Sequence, residues 1–250
     1  MAPDPRIIDF FDARANRYDR RNPFVQWMHH ERAACALDEL PTDDAPPALL
    51  DIGCGDGLLY RLLSARSRTP FYYFGLDPSA AMLAASPIPP PQRYCGYVTE
   101  WTPPAAAPAF DLICWLGVST YLPPAQLQAD LACAAHWLAD DGKIIISFTH
   151  ARSWENSLRR WVAPVALRLR LGRRVLSAPF PTFHYSPAEA LALASDRFEG
   201  SIVWLPPSIP FLHHFSPRLA IRASRALNRW GGSIKSGRWH SDFLVILRQK

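Results

Sequence analysis

The chain has 250 residues, of which 49% are hydrophobic, and it carries a formal net charge of +5. That length fits one α/β domain with an appendage, or two small domains, and the apolar share can bury a sizeable core. The sequence has no run of eighteen uncharged apolar residues, which argues against a transmembrane helix. Because the N-terminal residues lack a basic start followed by an apolar stretch, no secretory signal is expected and a cytoplasmic location is predicted.

The cysteines and the basic residues limit the chemistry further. The five cysteines are scattered without a C-x-x-C pair, which predicts reduced thiols rather than disulfides or a zinc site. Arginine carries nearly all of the positive charge, because the chain has only three lysines. That bias alone does not indicate nucleic-acid binding, so we expect no nucleic-acid partner. We also expect no metal site.

The N-terminal part of the chain is predicted to be helical. Apolar residues recur at helical spacing over residues 5–40, and Pro23 is expected to start the second helix. A linker over residues 41–47 then leads to an apolar strand at about 48–52.

Glycine occupies every second position directly after that strand, at residues 53, 55 and 57. Glycine is needed where a backbone turns tightly or lies against a ligand, and a helix beginning at Leu58 would direct its N-terminal amides onto the loop. The pattern predicts a nucleotide-binding crevice at the carboxyl end of a parallel strand; a glycine-rich turn without a ligand is the alternative. A dinucleotide-dependent reductase is disfavoured, because the motif G-x-G-x-x-G would place its third glycine at position 58, where this chain has Leu58.

The middle of the chain alternates strands with helices. Strands are predicted at 71–77, 94–98, 110–116 and 143–148, with one helix starting at Pro78 and another spanning 124–139, and with a turn at 140–142. Alternation at this spacing predicts an α/β fold with a mostly parallel, doubly wound sheet.

The C-terminal part is more basic and aromatic. Residues 151–180 are rich in arginine and aromatic side chains, and a capping residue followed by proline predicts a helix start at Ser186. Later strands are expected at 201–205 and 243–247, separated by a second basic helical insert over 206–237.

Four sequence blocks in this order resemble the class I S-adenosylmethionine (SAM) dependent methyltransferases over most of the chain. They are Asp51-x-Gly53-x-Gly55-x-Gly57, Gly75-Leu76-Asp77-Pro78-Ser79-x-x-Met82-Leu83, Phe110 to Ile113 with Leu116 to Leu122, and Leu138 to Ser147, which is similar to the family's "L-x-P-G-G-x-L-x-I-S". One block alone is a weak signal, whereas four in order are specific.

The resemblance implies an architecture for the whole chain. It is a Rossmann-like, doubly wound sheet of seven strands, six parallel and the last antiparallel between the fifth and the sixth, with N-terminal helices and helical lid inserts. A single domain over 1–250 is then expected, divided as follows: a helical cap at 1–40, a SAM-binding core at 48–150, an acceptor-side half at 151–237 and the last strand at 238–250.

The same resemblance implies SAM as cofactor. Asp77, at the end of the second strand, is expected to accept the two ribose hydroxyls, although a role as helix N-cap would suit the same position. Asp51 either organises the loop or meets the amino-acid end of SAM. The full set of expected cofactor residues is Asp51, Gly53, Cys54, Gly55, Gly57, Asp77, Pro78, Met82, Val98, Thr99, Leu116, Gly117 and Tyr18.

The expected adenine contact departs from the family pattern, and the expected role of Tyr18 has an alternative. Relatives often have an acid that reaches the adenine amine where this chain has Tyr97, so backbone groups of Val98 and Thr99, or the side chain of Glu100, are expected to substitute. Tyr18 lies in a segment that resembles the family's "A-x-x-Y-D" and either covers the methionine end of SAM or packs on the core.

Catalytic residues are less clearly marked than cofactor residues. Methyl transfer from a sulfonium needs no acid at the leaving group, and a base is needed only if the acceptor must lose a proton. His150 after the fifth strand, His184 before a helix and Tyr121 after the fourth strand are the candidates; loop or packing roles are the alternatives.

The expected reaction is methyl transfer to O, N or C of a small-molecule acceptor of the specialised-metabolite or quinone-like kind. The alternatives are an inactive SAM-binding scaffold or regulatory protein, and an RNA or protein methyltransferase, although no N-P-P-Y-like motif follows the fourth strand. The basic helical segments would contact an anionic or carrier-bound acceptor, a membrane surface, or solvent alone. The oligomeric state stays open.

Overall fold

The computed structural model describes residues 4–15, 22–41, 45–168, 180–194, 196–230 and 237–250. Tyr18 falls outside these ranges, and so do Arg170, Arg173 and Arg174 of the arginine-rich segment at 151–180. No helix of the described ranges is both long enough and apolar enough to cross a bilayer.

The described chain builds one sheet of seven strands. They are β1 (Ala48–Ile52), β2 (Tyr72–Asp77), β3 (Arg93–Cys95), β4 (Phe110–Trp115), β5 (Leu138–Thr149), β6 (Phe198–Trp204) and β7 (Asp242–Gln249). Their spatial order is β3-β2-β1-β4-β5-β7-β6. The pairs of β1 with β2 and β4, of β2 with β3 and of β4 with β5 are parallel, whereas β7 is antiparallel to both β5 and β6. The predicted fold class is thus confirmed, including the position of the last strand.

Helices flank this sheet. They are α1 (Pro5–Asp12), α2 (Pro23–Leu37), α3 (Leu58–Arg66), α4 (Ala80–Ala85), α5 (Pro124–Ala134), α6 (Trp154–Arg168), α7 (Pro187–Ala192), α8 (Leu212–Phe215) and α9 (Pro217–Trp230). Helices α2 and α7 begin where the sequence predicts. The Asn22 side chain accepts from the backbone N–H of Phe24, with Pro23 as the first helical residue. Ser186 and Glu189 form a capping box at α7.

The core lies on both faces of the sheet, because helices cover each side. Leu50, Ile113 and Ile144 pack in one apolar cluster, and their strand neighbours Leu49 and Ile145 pack in the other. A strand that is buried on both faces has an uninterrupted apolar run, which is why β1 and β4 are easily recognised in the sequence.

Three strands differ from the prediction by three residues or more at one end. The sixth was expected over 201–205 but begins at Phe198, where its pairing with β7 starts. The third was expected over 94–98 but ends at Cys95, because Gly96 has φ +155° and the chain turns into a short 3-10 helix at Val98–Glu100. The fifth begins at Leu138 rather than 143, so the residues expected to end a helix and form a turn belong to the strand. Its pairing with β4 accommodates them by a register shift between Phe110 and Leu112.

Candidate cofactor and acceptor site

The glycine loop lies at the carboxyl edge of the sheet, between two adjoining cavities. Cavity A is about 370 Å³ and extends from the end of β2 to the turn after β4. Cavity B is about 420 Å³ and lies between the loop and helix α2. Both cavities are lined by His29, Arg32, Gly53, Gly55 and Leu116. Ligands of α/β proteins bind at this edge of the sheet.

The glycine loop requires glycine at its first position for two reasons. Gly53 has φ +74°, a left-handed conformation that L side chains rarely adopt. A Cβ at this position would also lie 2.2 Å from Cγ2 of Val118, in the turn after β4. The backbone N–H of Gly53 donates to the carbonyl of Leu76 at 2.7 Å, which ties the loop to the end of β2. The loop therefore stays close to both neighbouring strands and leaves its other face open to the cavities.

Asp77 holds the loop and faces cavity A at the same time. Its two carboxylate oxygens accept from the backbone N–H groups of Gly55 and Ser79, each at 2.8 Å. The N-cap of α4 is Ser79, whose hydroxyl accepts from the N–H of Met82, so Asp77 is not the capping residue. Burial raises the pKa of Asp77 to about 6, against the effect of the two amide donors. Each oxygen retains a lone pair that a ribose hydroxyl would use.

Two further acids surround the loop and make the site electronegative. Asp51 lines cavity B and accepts from the hydroxyl of Tyr73 at 2.6 Å. Burial raises the pKa of Asp51 to about 7, and the nearby charges of Asp77 and Asp56 add to the rise. Asp56 also lines cavity B and pairs with Arg61 at 3.0 Å. A cationic ligand would relieve the repulsion among these carboxylates.

These raised pKa values predict how stability and SAM affinity depend on pH. In the free protein Asp51 and Asp77 hold protons at a pH where the unfolded chain has lost them, so stability should fall as pH rises from about 4 to 7. The sulfonium and the ribose hydroxyls favour the ionised carboxylates, so SAM should bind more tightly as pH rises through the same range. At pH 6.5, calorimetry in buffers of different ionisation enthalpy should detect proton release on SAM binding.

The control for this pH prediction is a pair of neutral variants. Asp77→Asn and Asp51→Asn each remove one of the two titrating groups, and each should reduce the number of protons released. An unchanged proton count in both variants would contradict the assignment of the pH dependence to these two carboxyls.

Arg32 is a buried cation that the sequence reading missed. It lies on the buried face of α2 with 8% exposure, and it lines both cavities. One terminal nitrogen of its guanidinium pairs with Asp242, the first residue of β7, at 3.1 Å. Its Nε has no hydrogen-bond partner. A buried arginine with unused donors beside a cavity is suited to bind a carboxylate.

The far end of cavity A is formed by the turn after β3 and by helix α5. Tyr97 and Val98 line it from the turn, and Asp130 lines it from α5. Glu100 accepts from the N–H of Tyr97, so its carboxylate faces its own turn. Asp130 is buried and accepts from the side chain of Gln126 at 2.7 Å. An acid is thus present near this turn, but it comes from a helix rather than from the loop.

Aromatic side chains cover the end of cavity A that lies beside helix α1 and the turn after β4. The ring of Tyr121 packs edge-on against Phe11 at 5.4 Å and against Phe180 at 5.6 Å. Phe10 packs on Phe180 at 5.1 Å from the other side. Helix α1 is held over the site by Asp12, which accepts from the hydroxyl of Ser79. The cover brings together residues from the cap, from the turn after β4 and from the second half of the chain.

Most of the expected cofactor residues line these cavities. Cavity A is lined by Gly53, Gly55, Asp77, Pro78, Met82, Val98, Leu116 and Gly117, and cavity B is lined by Asp51, Gly53, Cys54, Gly55 and Leu116. Gly57 does not line either cavity; it precedes α3 with φ +76° and therefore shapes the loop. Thr99 is exposed in the 3-10 turn and lines neither cavity. Tyr18 lies outside the described residues.

Of the three catalytic candidates, only Tyr121 lines cavity A. The ring of His150 faces the carbonyl of His240 at 3.2 Å and packs against Trp204, and it lines a separate cleft. His184 lines a shallow depression beside α5 and α7. Neither histidine lines cavity A or cavity B. His29, which lines cavities A and B, was not among the candidates.

Metal ligands are not grouped in the described part of the chain. Within those ranges no cluster of three or more histidine, cysteine or acidic side chains could hold a metal ion. All five cysteines are free thiols, with Cys54 and Cys114 buried.

The comparison with family models identifies the family. The chain matches a model described as a methyltransferase domain over residues 24–192, which is more than half of its length. The chain therefore belongs to that family. Its motifs and fold place it among the class I SAM-dependent methyltransferases, whose cofactor is SAM.

Individual relatives are more distant. A biotin biosynthesis bifunctional protein from Bordetella avium is 29% identical over 168 residues, which make up 64% of this chain and 32% of that protein. An 18S rRNA (guanine-N(7))-methyltransferase from Arabidopsis thaliana is 40% identical over 83 residues, 33% of this chain and 27% of that protein. These matches span about a third or less of the curated relatives' own length.

Among solved structures, a SAM-dependent methyltransferase from Thermotoga maritima, described as a possible histamine N-methyltransferase, has the same fold. Its TM-score is 0.60 at 13% identity, with 96% of this chain and 98% of that chain covered. At this identity the match shows the shared fold and leaves the acceptor open.

Proposed function

We propose that the protein transfers the methyl group of SAM to an O, N or C atom of a small-molecule acceptor. The observation that carries this proposal is the junction of cavities A and B at the glycine loop, with Asp77 on one side and Arg32 on the other. A ligand that spans this junction and pairs with both side chains carries a diol for Asp77 and a carboxylate for Arg32, and SAM has both.

The proposed pose assigns one contact to each part of SAM. The ribose hydroxyls donate to Asp77, which already faces cavity A. The methionine carboxylate lies in cavity B against Arg32, and its amino group lies among the acids around the loop. The adenine amine donates to Asp130, which would supply the acid that Tyr97 replaces at the usual position.

In this pose, transfer depends on alignment and exclusion of water. The acceptor attacks the methyl carbon in line with the departing sulfur, and the sulfur leaves as a neutral thioether, so no acid is needed there. The aromatic cover around Tyr121 keeps water away from the methyl group and fixes the direction of attack. His150 and His184 have no part in this step, because they line other clefts.

The polar side chains of cavity A differ in how they are engaged. The Thr120 hydroxyl donates to the carbonyl of Phe183 at 3.1 Å, and Asp242 is paired with Arg32. His29 and Tyr121 also line the cavity, and they are the side chains suited to take a proton from an acceptor hydroxyl or amine.

Variants of the buried ion pair separate binding from folding. Arg32→Met should lower the free energy of unfolding by up to about 3 kcal/mol, because the partly buried Asp242 loses its partner. Arg32→Met combined with Asp242→Leu should recover most of that stability while SAM affinity stays at least about tenfold below wild type. Calorimetry and thermal melts measure the two quantities. Recovery of both in the double variant would contradict the carboxylate assignment.

The match to an 18S rRNA methyltransferase makes RNA the second candidate acceptor. The proposed small acceptor is favoured because, in the described part of the chain, the aromatic cover and α1 pack over cavity A, so that an acceptor atom must fit beneath them. A protein that binds SAM without turnover is the third candidate.

One assay separates these candidates. The purified protein is incubated with SAM and either a panel of small amines, carboxylates and phenols or a ribosomal RNA preparation, and release of S-adenosylhomocysteine is followed. Release with a small compound supports the proposal, and release with RNA alone overturns it. SAM binding without release in either arm favours the scaffold.

A further inference from the structure

A cationic cleft lies beside the acceptor end of the site, over the carboxyl ends of β5 and β6. Its volume is about 620 Å³, within the range of small-molecule sites. The lining residues are His150, Arg152, Ser157, Arg160, Trp204, Gly237 and Arg238. Three of these seven are arginines and none is acidic. The cleft takes no part in the proposed cofactor pose.

None of the three arginines forms an ion pair with a carboxylate among the described residues, although the charge of Arg152 adds to the hydrogen bonds from Ser186 in lowering the pKa of Glu189. Arg152, Arg160 and Arg238 appear in none of the ion pairs within 4 Å that the described ranges contain. The neighbouring Arg159, by contrast, is paired with Glu155 at 2.9 Å. All three side chains are exposed, so solvent and salt screen their mutual repulsion, and their summed positive charge attracts an anion to the cleft.

Two of these arginines and the cleft's aromatic wall are held in place. A terminal nitrogen of Arg160 donates to the carbonyl of Ala151 at 2.6 Å. The guanidinium of Arg238 stacks over the ring of Trp154 at 4.2 Å. Gly237 lies so close to Trp204 that a Cβ would be 2.4 Å from the ring, which fixes the turn that carries Arg238. The groups are therefore positioned before any ligand arrives.

The floor of the cleft is a buried polar side chain. His150 is 5% exposed, and its ring packs against Trp204 at 5.5 Å and Phe243 at 5.9 Å. Burial lowers the pKa of His150, so the positive charge of the cleft comes from the arginines. A neutral imidazole floor and an indole wall below arginine side chains suit a phosphate ester that carries an apolar or ring portion.

The cleft and the acceptor end of cavity A are neighbours along the backbone. Thr149 lines cavity A, and the next residue, His150, lines the cleft. Asp242 lines cavity A as well, and the carbonyl of Ser241 beside it accepts from the N–H of His150 at 2.8 Å. Consecutive residues of a strand point to opposite faces of the sheet, so the two spaces lie on either side of the ends of β5 and β7. A small molecule that occupied both would pass over these strand ends.

We propose that this cleft is a phosphate-binding subsite, which holds the phosphate group of a phosphorylated small-molecule acceptor while its nucleophilic atom enters cavity A. The inference rests on the proposed methyl transfer to a small molecule and narrows it to one substrate class. Arginine forks match the paired oxygens of a phosphate, and a dianion neutralises the excess charge.

The test uses inorganic pyrophosphate as a probe, titrated by calorimetry into the full chain at low salt. Binding is expected in the wild type and should weaken roughly tenfold or more in Arg160→Gln and in Arg238→Gln. Arg222→Gln is the matched control, because Arg222 is an exposed arginine on α9 away from the cleft. It should bind pyrophosphate like the wild type.

Each outcome of the titration has a definite meaning. No binding to the wild type, or equal binding by all variants, overturns the proposal. Binding to phosphatidylglycerol vesicles without binding to pyrophosphate also overturns it and assigns the arginines to a membrane surface. SAM affinity is measured in the same samples. If SAM binds and pyrophosphate does not, only the phosphate-subsite proposal is contradicted. If the wild type does not bind SAM, the proposed function is contradicted.

Discussion

Asp77→Ala is expected to reduce SAM affinity about 100-fold, since the ribose loses two charge-assisted hydrogen bonds. The same side chain holds the backbone N–H groups of Gly55 and Ser79, so the alanine variant also loosens the loop. Asp77→Asn separates these effects. The amide has a single acceptor oxygen, so it keeps one of the two backbone hydrogen bonds and carries no charge, and affinity should fall at least about tenfold.

The asparagine variant has an internal check on folding. The raised pKa of Asp77 means that its buried charge costs stability at neutral pH, so Asp77→Asn should melt at or above the wild-type temperature at pH 7.5. Asp141→Asn is the matched control, because this exposed carboxylate lies on β5 at the opposite edge of the sheet. Unchanged SAM affinity in both Asp77 variants would show that Asp77 does not bind the ribose hydroxyls.

Gly53→Ala is expected to abolish measurable SAM binding. The left-handed backbone at this position costs an alanine about 1–2 kcal/mol, and its Cβ would collide with the stiff side chain of Val118. Either the loop or the turn after β4 must then move, and both line cavity A. Calorimetry with SAM and a thermal melt are the two readouts.

Two further variants make this result specific to the loop. Gly53→Ala with Val118→Ala removes the collision but keeps the backbone strain, so SAM binding should return in part. Gly200→Ala on β6 places a Cβ 2.5 Å from Cδ2 of Leu191 but with an ordinary backbone, and it should leave SAM affinity intact. Wild-type affinity in Gly53→Ala would contradict the close approach of loop and turn.

The sequence was sufficient where a local pattern defines both ends of an element. Strand β1 is bounded by a linker and by the glycine loop, and its predicted range agrees with the observed one. Strand β3 was predicted too long because it pairs with β2 alone, so the conformation of Gly96 determines where it ends. The start of β5 depends on pairing between Leu138 and Phe110, which no local pattern reveals.

The candidate site shows the same difference between residues that are close in sequence and residues that only packing brings together. The sequence predicted the position of the loop and of Asp77 at the edge of the sheet, because that position depends on consecutive residues after a strand. Arg32 was hidden in an apolar helical stripe, and its partner Asp242 is distant in sequence. Asp130 was missed for a similar reason, since only the packing of α5 against the turn at Val98 brings it to cavity A. In retrospect, an arginine on the buried face of α2 was the available signal.

The central claim is that the glycine loop holds SAM, and calorimetric titration of the wild-type protein tests it most directly. The protein is titrated separately with SAM, with its demethylated product S-adenosylhomocysteine and with NADH, after its fold has been verified by circular dichroism. We expect micromolar binding of the first two and none of NADH. Failure of a folded protein to bind either SAM or S-adenosylhomocysteine would contradict the account.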